Sequence, residues 1–126
     1  MPRLVYRSGS ATDDNLTPRT GKDTLGKPGQ APGLSTFTRL ELAVAAGGKA
    51  QVIDLDLLQS PLRGIENDPS DGGHEGHVSI VPVTKEGEVD QELLEEWAKT
   101  RGTDRAHALT EVVRNALVKT NVRRPR

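Results

Sequence analysis

The side chains best suited to chemistry in this 126-residue chain are Arg7, Ser35, Thr36 and His77. Arg7 closes the apolar run Leu4-Val5-Tyr6 and opens a Ser-Gly-Ser turn. The planar arginine fork matches two phosphate oxygens, and the amide of Gly9 is placed to add a donor. Ser35 and Thr36 follow Gly33-Leu34 and flank the approach to Phe37. Such hydroxyls cap helices, and a helix N-terminus also binds anions through its free N–H groups. His77 follows Gly76 and opens the run Val78-Ser79-Ile80-Val81-Pro82. A histidine there can bond a ribose hydroxyl or act as acid or base near neutral pH. Singly, each has a plain structural reading: a surface ion pair, a helix cap, a strand histidine. In this order, from three separate segments, they suggest one composite pocket for a nucleotide-like ligand.

Other polar groups are less informative. His74-Glu75-Gly76-His77 spaces its histidines by three within a glycine-rich stretch. The helical zinc motif needs a spacing of four, so no metal site is expected. His107 falls beside the apolar stripe of a helix and reads as structural. Glu92, Glu95, Glu96 and Glu111 read as solvated helix faces. Asp54 and Asp56 sit on a strand, and nothing selects either. No P-loop, Rossmann glycine run or G-x-S-x-G is present.

The elements that must position these groups follow from periodicity and turn residues. Residues 3–7 read as a short strand. Residues 8–32 read as a long loop, with glycines and prolines throughout. A loop this long inside a compact domain is commonly functional or disordered; a lid over the pocket is the functional form. The pattern predicts a helix over 37–46, capped by Ser35 or Thr36 and stopped by Gly47-Gly48. A strand over 49–58 follows, with one wet face where Asp54 and Asp56 alternate with Leu55 and Leu57. A second loop over 59–75 leads to a strand over 76–83, with His77 and Ser79 on one face. Pro82 marks a strand end or edge. Two helices complete the chain. Asp90 caps the first, which runs to Arg101 and packs Leu93, Leu94 and Trp97. Gly102 ends it, and Thr103 caps the second, which runs to Lys119 with Ala106, Leu109, Val112, Val113, Ala116 and Leu117 inward.

The expected fold is α+β, a small mixed sheet with flanking helices in one domain over 1–126. Only 33% of residues are apolar and the aromatics are Tyr6, Phe37 and Trp97, so the core rests on Leu, Val, Ile and Ala. The net charge of −1 supplies no global field toward nucleic acid or an anionic membrane. A local exception is the basic tail over 121–126, which reads as a solvated terminus or, more sharply, a phosphate-contacting arm. With no cysteine, disulfide, thiolate and cysteine–zinc chemistry are excluded. No apolar run approaches the roughly 18 residues of a membrane span. The first residues lack the apolar core of a signal peptide, so a cytoplasmic site of action is expected.

Tyr6-Arg7, Gly33-x-Ser35-x-Phe37 and His77-x-x-Ile80-x-Pro82, in this order and around a long variable loop, resemble a known family. It is the small ADP-ribosyltransferase-like antibacterial toxins delivered by type VI secretion systems, in their pseudomonad form. The resemblance spans about residues 5–82. It implies the NAD-binding core of ADP-ribosylating toxins, with NAD as co-substrate. Arg7 would hold the NAD phosphates, together with Tyr6, Gly9 and Phe37 around the cofactor. Ser35 and Thr36 would shape the nicotinamide pocket and, with His77, form the catalytic set. A cognate immunity protein, a delivery machine and a cytosolic target are implied as partners. The chain departs from the pattern at Leu34, where a threonine is found in the family, with Thr36 following the serine instead. No glutamate stands in register to hold the ribose 2′-OH, although Glu75 is nearby.

Two other readings stand beside this one. A metal-independent ribonuclease toxin would use His77, Glu75 and Arg7 as base, acid and phosphate contact, with the tail on RNA. A non-enzymatic binding module would use the loops against a protein partner, although the scarcity of aromatics argues against a strong interface.

Overall fold

The computed structural model describes residues 2–99 and 102–126. The strands are β1 (Leu4–Ser8), β2 (Leu34–Phe37), β3 (Lys49–Asp54), β4 (Leu62–Glu66), β5 (His77–Pro82) and β6 (Leu117–Arg123). The helices are α1 (Leu40–Ala43), α2 (Gln91–Lys99) and α3 (Asp104–Asn115). The fold is α+β. The strands form one sheet in the order β4-β5-β2-β1-β3-β6. Every neighbouring pair is antiparallel, so the sheet is not mixed.

Why these segments form these elements is clearest at α2 and α3. Leu93, Leu94, Trp97 and Ala98 recur at helical spacing and are buried, as are Ala106, Leu109 and Val113 on α3. Asp90 Oδ1 accepts from the Leu93 amide at 3.1 Å, and Thr103 Oγ1 accepts from the Ala106 amide at 3.1 Å. Both expected caps therefore form. The expected end of the first helix, at Arg101, lies outside the described residues. Both helices press on Val5, Leu34, Ile53, Val78 and Ile80 of the sheet.

Elsewhere tertiary pairing overrides local pattern. The expected helix over 37–46 shrinks to four residues, and Ser35 and Thr36 lie inside β2 rather than capping it. β2 is wedged between β5, which pairs with all four of its residues, and β1, which meets it at Phe37. β3 stops at Asp54, where the chain turns into a 3-10 segment over Leu55–Leu57. Its expected wet face is absent, because Ala50, Gln51, Val52, Ile53 and Asp54 are all buried. β4 forms within the expected loop over 59–75 and pairs with β5 in register from Leu62↔Pro82 to Glu66↔Val78. β5 is thus interior, and Pro82 marks its end, not a sheet edge. The last helix ends at Asn115, and Leu117 belongs to β6.

The basic tail folds as well. Asn121 adopts the left-handed conformation (φ 54°) beside the irregular β3–β6 register. Arg124 exchanges backbone bonds with Gly47 and Gly48, and its Nη1 reaches the Val44 carbonyl at 2.9 Å. Held against that turn, it is not a free arm.

The long loop keeps its expected lack of helix or strand, yet it is anchored. Leu16 is fully buried, which stabilises by about 1.5–3 kcal/mol. Thr17 Oγ1 lies 2.8 Å from Thr110 Oγ1, which also accepts from Trp97 Nε1 at 3.0 Å. At its far end Gly29 meets the second loop closely: a Cβ there would lie 2.4 Å from the Gly73 amide nitrogen. Only glycine permits that crossing, which brings Gln30 beside Asn67.

Candidate active site

β1 and β2 share one paired position, Tyr6↔Phe37. Past it the Ser35 carbonyl receives its hydrogen bond from a side chain: Arg7 Nη1 donates to it at 2.9 Å. Arg7 Nε donates to the Asn15 carbonyl at 2.9 Å, so loop and strand are tied through one guanidinium. Nη2 has no protein hydrogen-bond partner among the described residues, and Arg7 lines a cleft of about 350 Å³ together with Ser8, Asp14, Asn15, Arg19, Ser35 and Phe37. Burial pushes the Arg7 pKa below the ordinary arginine value; Asp23 opposes that shift and Arg19 adds to it.

β2 pairs with β5 so that Ser35 faces Ser79 and Phe37 faces His77. Alternation puts these four on one face and Leu34, Thr36, Val78 and Ile80 on the other. Ser35 Oγ lies 2.5 Å from His77 Nε2. His77 Nδ1 lies 3.0 Å from Asn67 Oδ1, and Asn67 Nδ2 donates to Gln30 Oε1 at 3.4 Å. A carbonyl oxygen only accepts, so Nδ1 carries the histidine proton and Nε2 accepts from the Ser35 hydroxyl. The Phe37 ring packs edge-on to His77 with centroids 5.1 Å apart. The result is a hydroxyl, a base and an orienting amide in series, the arrangement that activates a hydroxyl or water.

Ser35 and His77 open onto a second space of about 450 Å³, walled by Arg19, Lys22, Asp23, Lys27, Gln30 and Gly33. Arg19, Lys22, Asp23, Lys27 and Gln30 of this wall belong to the long loop. Gly33 seats it: its amide donates to the Asp23 carbonyl at 2.6 Å. With φ 130°, a Cβ there would lie 2.5 Å from the Ile80 carbonyl oxygen.

Not every expected site residue arrives. Thr36 is fully buried on the opposite face and donates to the Val78 carbonyl at 2.8 Å. The Gly9 amide is spent on the Lys49 carbonyl at 3.0 Å, so it offers no donor to a ligand. Tyr6 is half-buried at the seam and lines neither space. Glu75 lines a different cleft, on the Asn67 side of His77. His107 is exposed rather than beside the core, 3.8 Å from Glu111. Among the described residues, no three His, Asp or Glu side chains gather as a metal site. No described helix is long and apolar enough to cross a membrane.

Sequence reasoning missed Asn67, Gln30, Asp23 and Arg19. Asn67 had one signal available. Pairing 62–66 with 77–82 as a hairpin would have set Asn67 opposite His77, where its amide donates to the His77 carbonyl at 3.0 Å. Gly64 and the exposed Arg63 and Glu66 hide that strand, because they break the apolar alternation.

Burial pushes the His77 pKa below the ordinary 6.5; His74 acts in the same direction and Asp23 against it. The unfolded chain therefore takes up this proton more readily than the folded one. Stability is full above 6.5 and is lost as pH falls from there toward the lower folded value. Urea unfolding from about pH 7.5 down to about pH 5 should show that decline, and His77→Gln should flatten it.

No family model, curated protein or solved structure matches this chain.

Proposed function

We propose that this chain is an antibacterial toxin domain of the ADP-ribosyltransferase-like kind, taking NAD as substrate and breaking its nicotinamide–ribose bond. The observation that carries this reading is the chain of contacts from Arg7 to Ser35 to His77, residues from three distant segments. Ser35 and Arg19 border both the cleft at Arg7 and the larger space at His77. A two-ended ligand can therefore lie across both. Arg7 Nη2 and Arg19 suit its diphosphate, with Ser35 and His77 at the far end. Both spaces fall within the roughly 300–1,000 Å³ of ligand pockets.

In this reading Arg7 and Arg19 bind phosphate, and Ser35 bonds the ribose or the nicotinamide amide. His77, neutral at Nε2, takes the proton of the attacking group. ADP-ribose passes to a cytosolic target or to water. The domain acts in the cytosol of a target cell after delivery, and the producing cell carries an immunity protein.

Expression in bacteria should arrest growth, and calorimetric titration should detect NAD binding. Arg7→Ala should weaken that binding by about 10- to 100-fold, as loss of a hydrogen bond to a charged group does. A wild-type protein that neither binds NAD nor slows growth would sink the proposal.

The cationic wall of Arg19, Lys22 and Lys27 also suits RNA. Against that reading, Glu75 lies in the other cleft, so the acid does not share a cavity with Arg7. Degraded tRNA or rRNA in arrested cells would favour the ribonuclease instead.

A further inference from the structure

Breaking a bond between a ribose carbon and its leaving group builds positive charge on that carbon and the ring oxygen. Carboxylates offset such charge in glycoside hydrolysis. An acyl transfer would instead need backbone donors for a developing anion, and two nearby amides are already committed. The Gly33 amide is spent on Asp23, and the Thr38 amide on Gly76. Among the described residues lining the space at Ser35 and His77, the one acid is Asp23.

We propose that Asp23 is the catalytic carboxylate of this site, stabilising the positive charge that develops at the ribose as nicotinamide leaves. This rests on the NAD reading above. The C1′–N bond breaks and its electron pair leaves with nicotinamide. The Asp23 carboxylate faces the resulting cationic carbon. Water adds to C1′ and gives a proton to Ser35 Oγ as the Ser35 proton passes to His77 Nε2 and on to solvent, giving ADP-ribose.

The placement supports this role. Asp23 is 8% exposed, although it belongs to a loop. Its amide donates to the Arg19 carbonyl at 3.0 Å, and its carbonyl accepts from Gly33, two residues before Ser35. Both backbone groups are thus tied, one of them to the strand that carries Ser35. Oδ2 accepts from the Arg19 amide at 2.7 Å and from Arg19 Nε at 3.3 Å. Oδ1 has no hydrogen-bond partner among the described residues. Since no buried side-chain oxygen among them lacks a partner, Oδ1 keeps access to solvent. The negative charge of Asp23 also reaches both Arg7 and His77, favouring their charged forms.

The test is calorimetric NAD binding together with nicotinamide release for wild type, Asp23→Asn and Asp23→Glu. Asn keeps an oxygen for the Arg19 amide and removes only the charge. Asp23→Asn should lower kcat by about 100-fold or more, while its Kd stays within about threefold of wild type. Asp23→Glu should fall between the two, because it restores the charge one methylene further out. Equal rates for wild type and Asp23→Asn, or a Glu variant no faster than the Asn variant, would overturn the role and leave NAD binding standing. Wild type that binds NAD without releasing nicotinamide overturns the catalytic role alone. Wild type that binds no NAD removes both proposals. Should Asp23→Asn fail to fold, Asp23→Glu decides: reduced kcat at unchanged Kd supports the role, and unchanged kcat overturns it.

Discussion

On the NAD reading proposed above, replacing His77 by alanine is expected to lower nicotinamide release by about 10²- to 10⁴-fold, the range that a positioned acid–base group contributes. His77 is the point at which the site converges. Its Nε2 meets Ser35, its Nδ1 meets Asn67, and its ring meets Phe37. Removing the imidazole takes away the proton acceptor and also frees the Ser35 hydroxyl to rotate. It further strands Asn67 Oδ1 in a buried position, which costs about 1–3 kcal/mol. A drop in activity must therefore be measured on protein shown to be folded by circular dichroism. His77→Gln serves as the partner variant, since its amide can meet Asn67 but is no base at neutral pH. The expected order is wild type far above both variants, with Gln the more stable of the two. Activity within tenfold of wild type in folded His77→Ala would remove histidine from the chemistry.

The second large effect concerns stability. Trp97→Ala should cost about 3–5 kcal/mol, the range for emptying a buried aromatic site. Trp97 is fully buried on α2, and its Nε1 donates to Thr110 of α3. The same hydroxyl meets Thr17 of the long loop. One ring thus joins two helices and the loop that roofs the cavity. With whole-domain stabilities of about 5–15 kcal/mol, the substitution takes a large share of the total. Urea unfolding should show a lower midpoint, and Trp97→Phe should recover part of the volume term but not the hydrogen bond. A loss below about 1 kcal/mol would show that this ring is not central to the fold.

Both predictions depend on arrangements that were unequally visible in the sequence. The apolar stripes of α2 and α3 and the caps at Asp90 and Thr103 were legible, because helix signals lie within a few residues of one another. β5 was legible from its alternation. The segment Leu34–Phe37 was not, since Ser35-Thr36 before an apolar run carries the local mark of a helix start. Strand neighbours on both sides decided otherwise. β4 and β6 escaped for a related reason: their patterns are broken, and each is held mainly by its partner.

The sequence alone determined that Arg7, Ser35 and His77 were the groups to watch. Arg7 and His77 sit at the edges of apolar runs short enough to be strands, so their polar ends had to emerge near a sheet, whereas Ser35 stood out as a hydroxyl at an expected helix start. It could not determine which face each group would take. Thr36 and Ser35 are adjacent, yet one is sealed against Val78 and the other opens on the cavity. Strand alternation makes that choice, and only the register with β5 sets its sense. Nor could it place Asp23 or Asn67. Both lie on loops without periodicity, and their positions are set by bonds to Gly33 and His77, partners that no local pattern marks. Long-range pairing, rather than local preference, assembled the site.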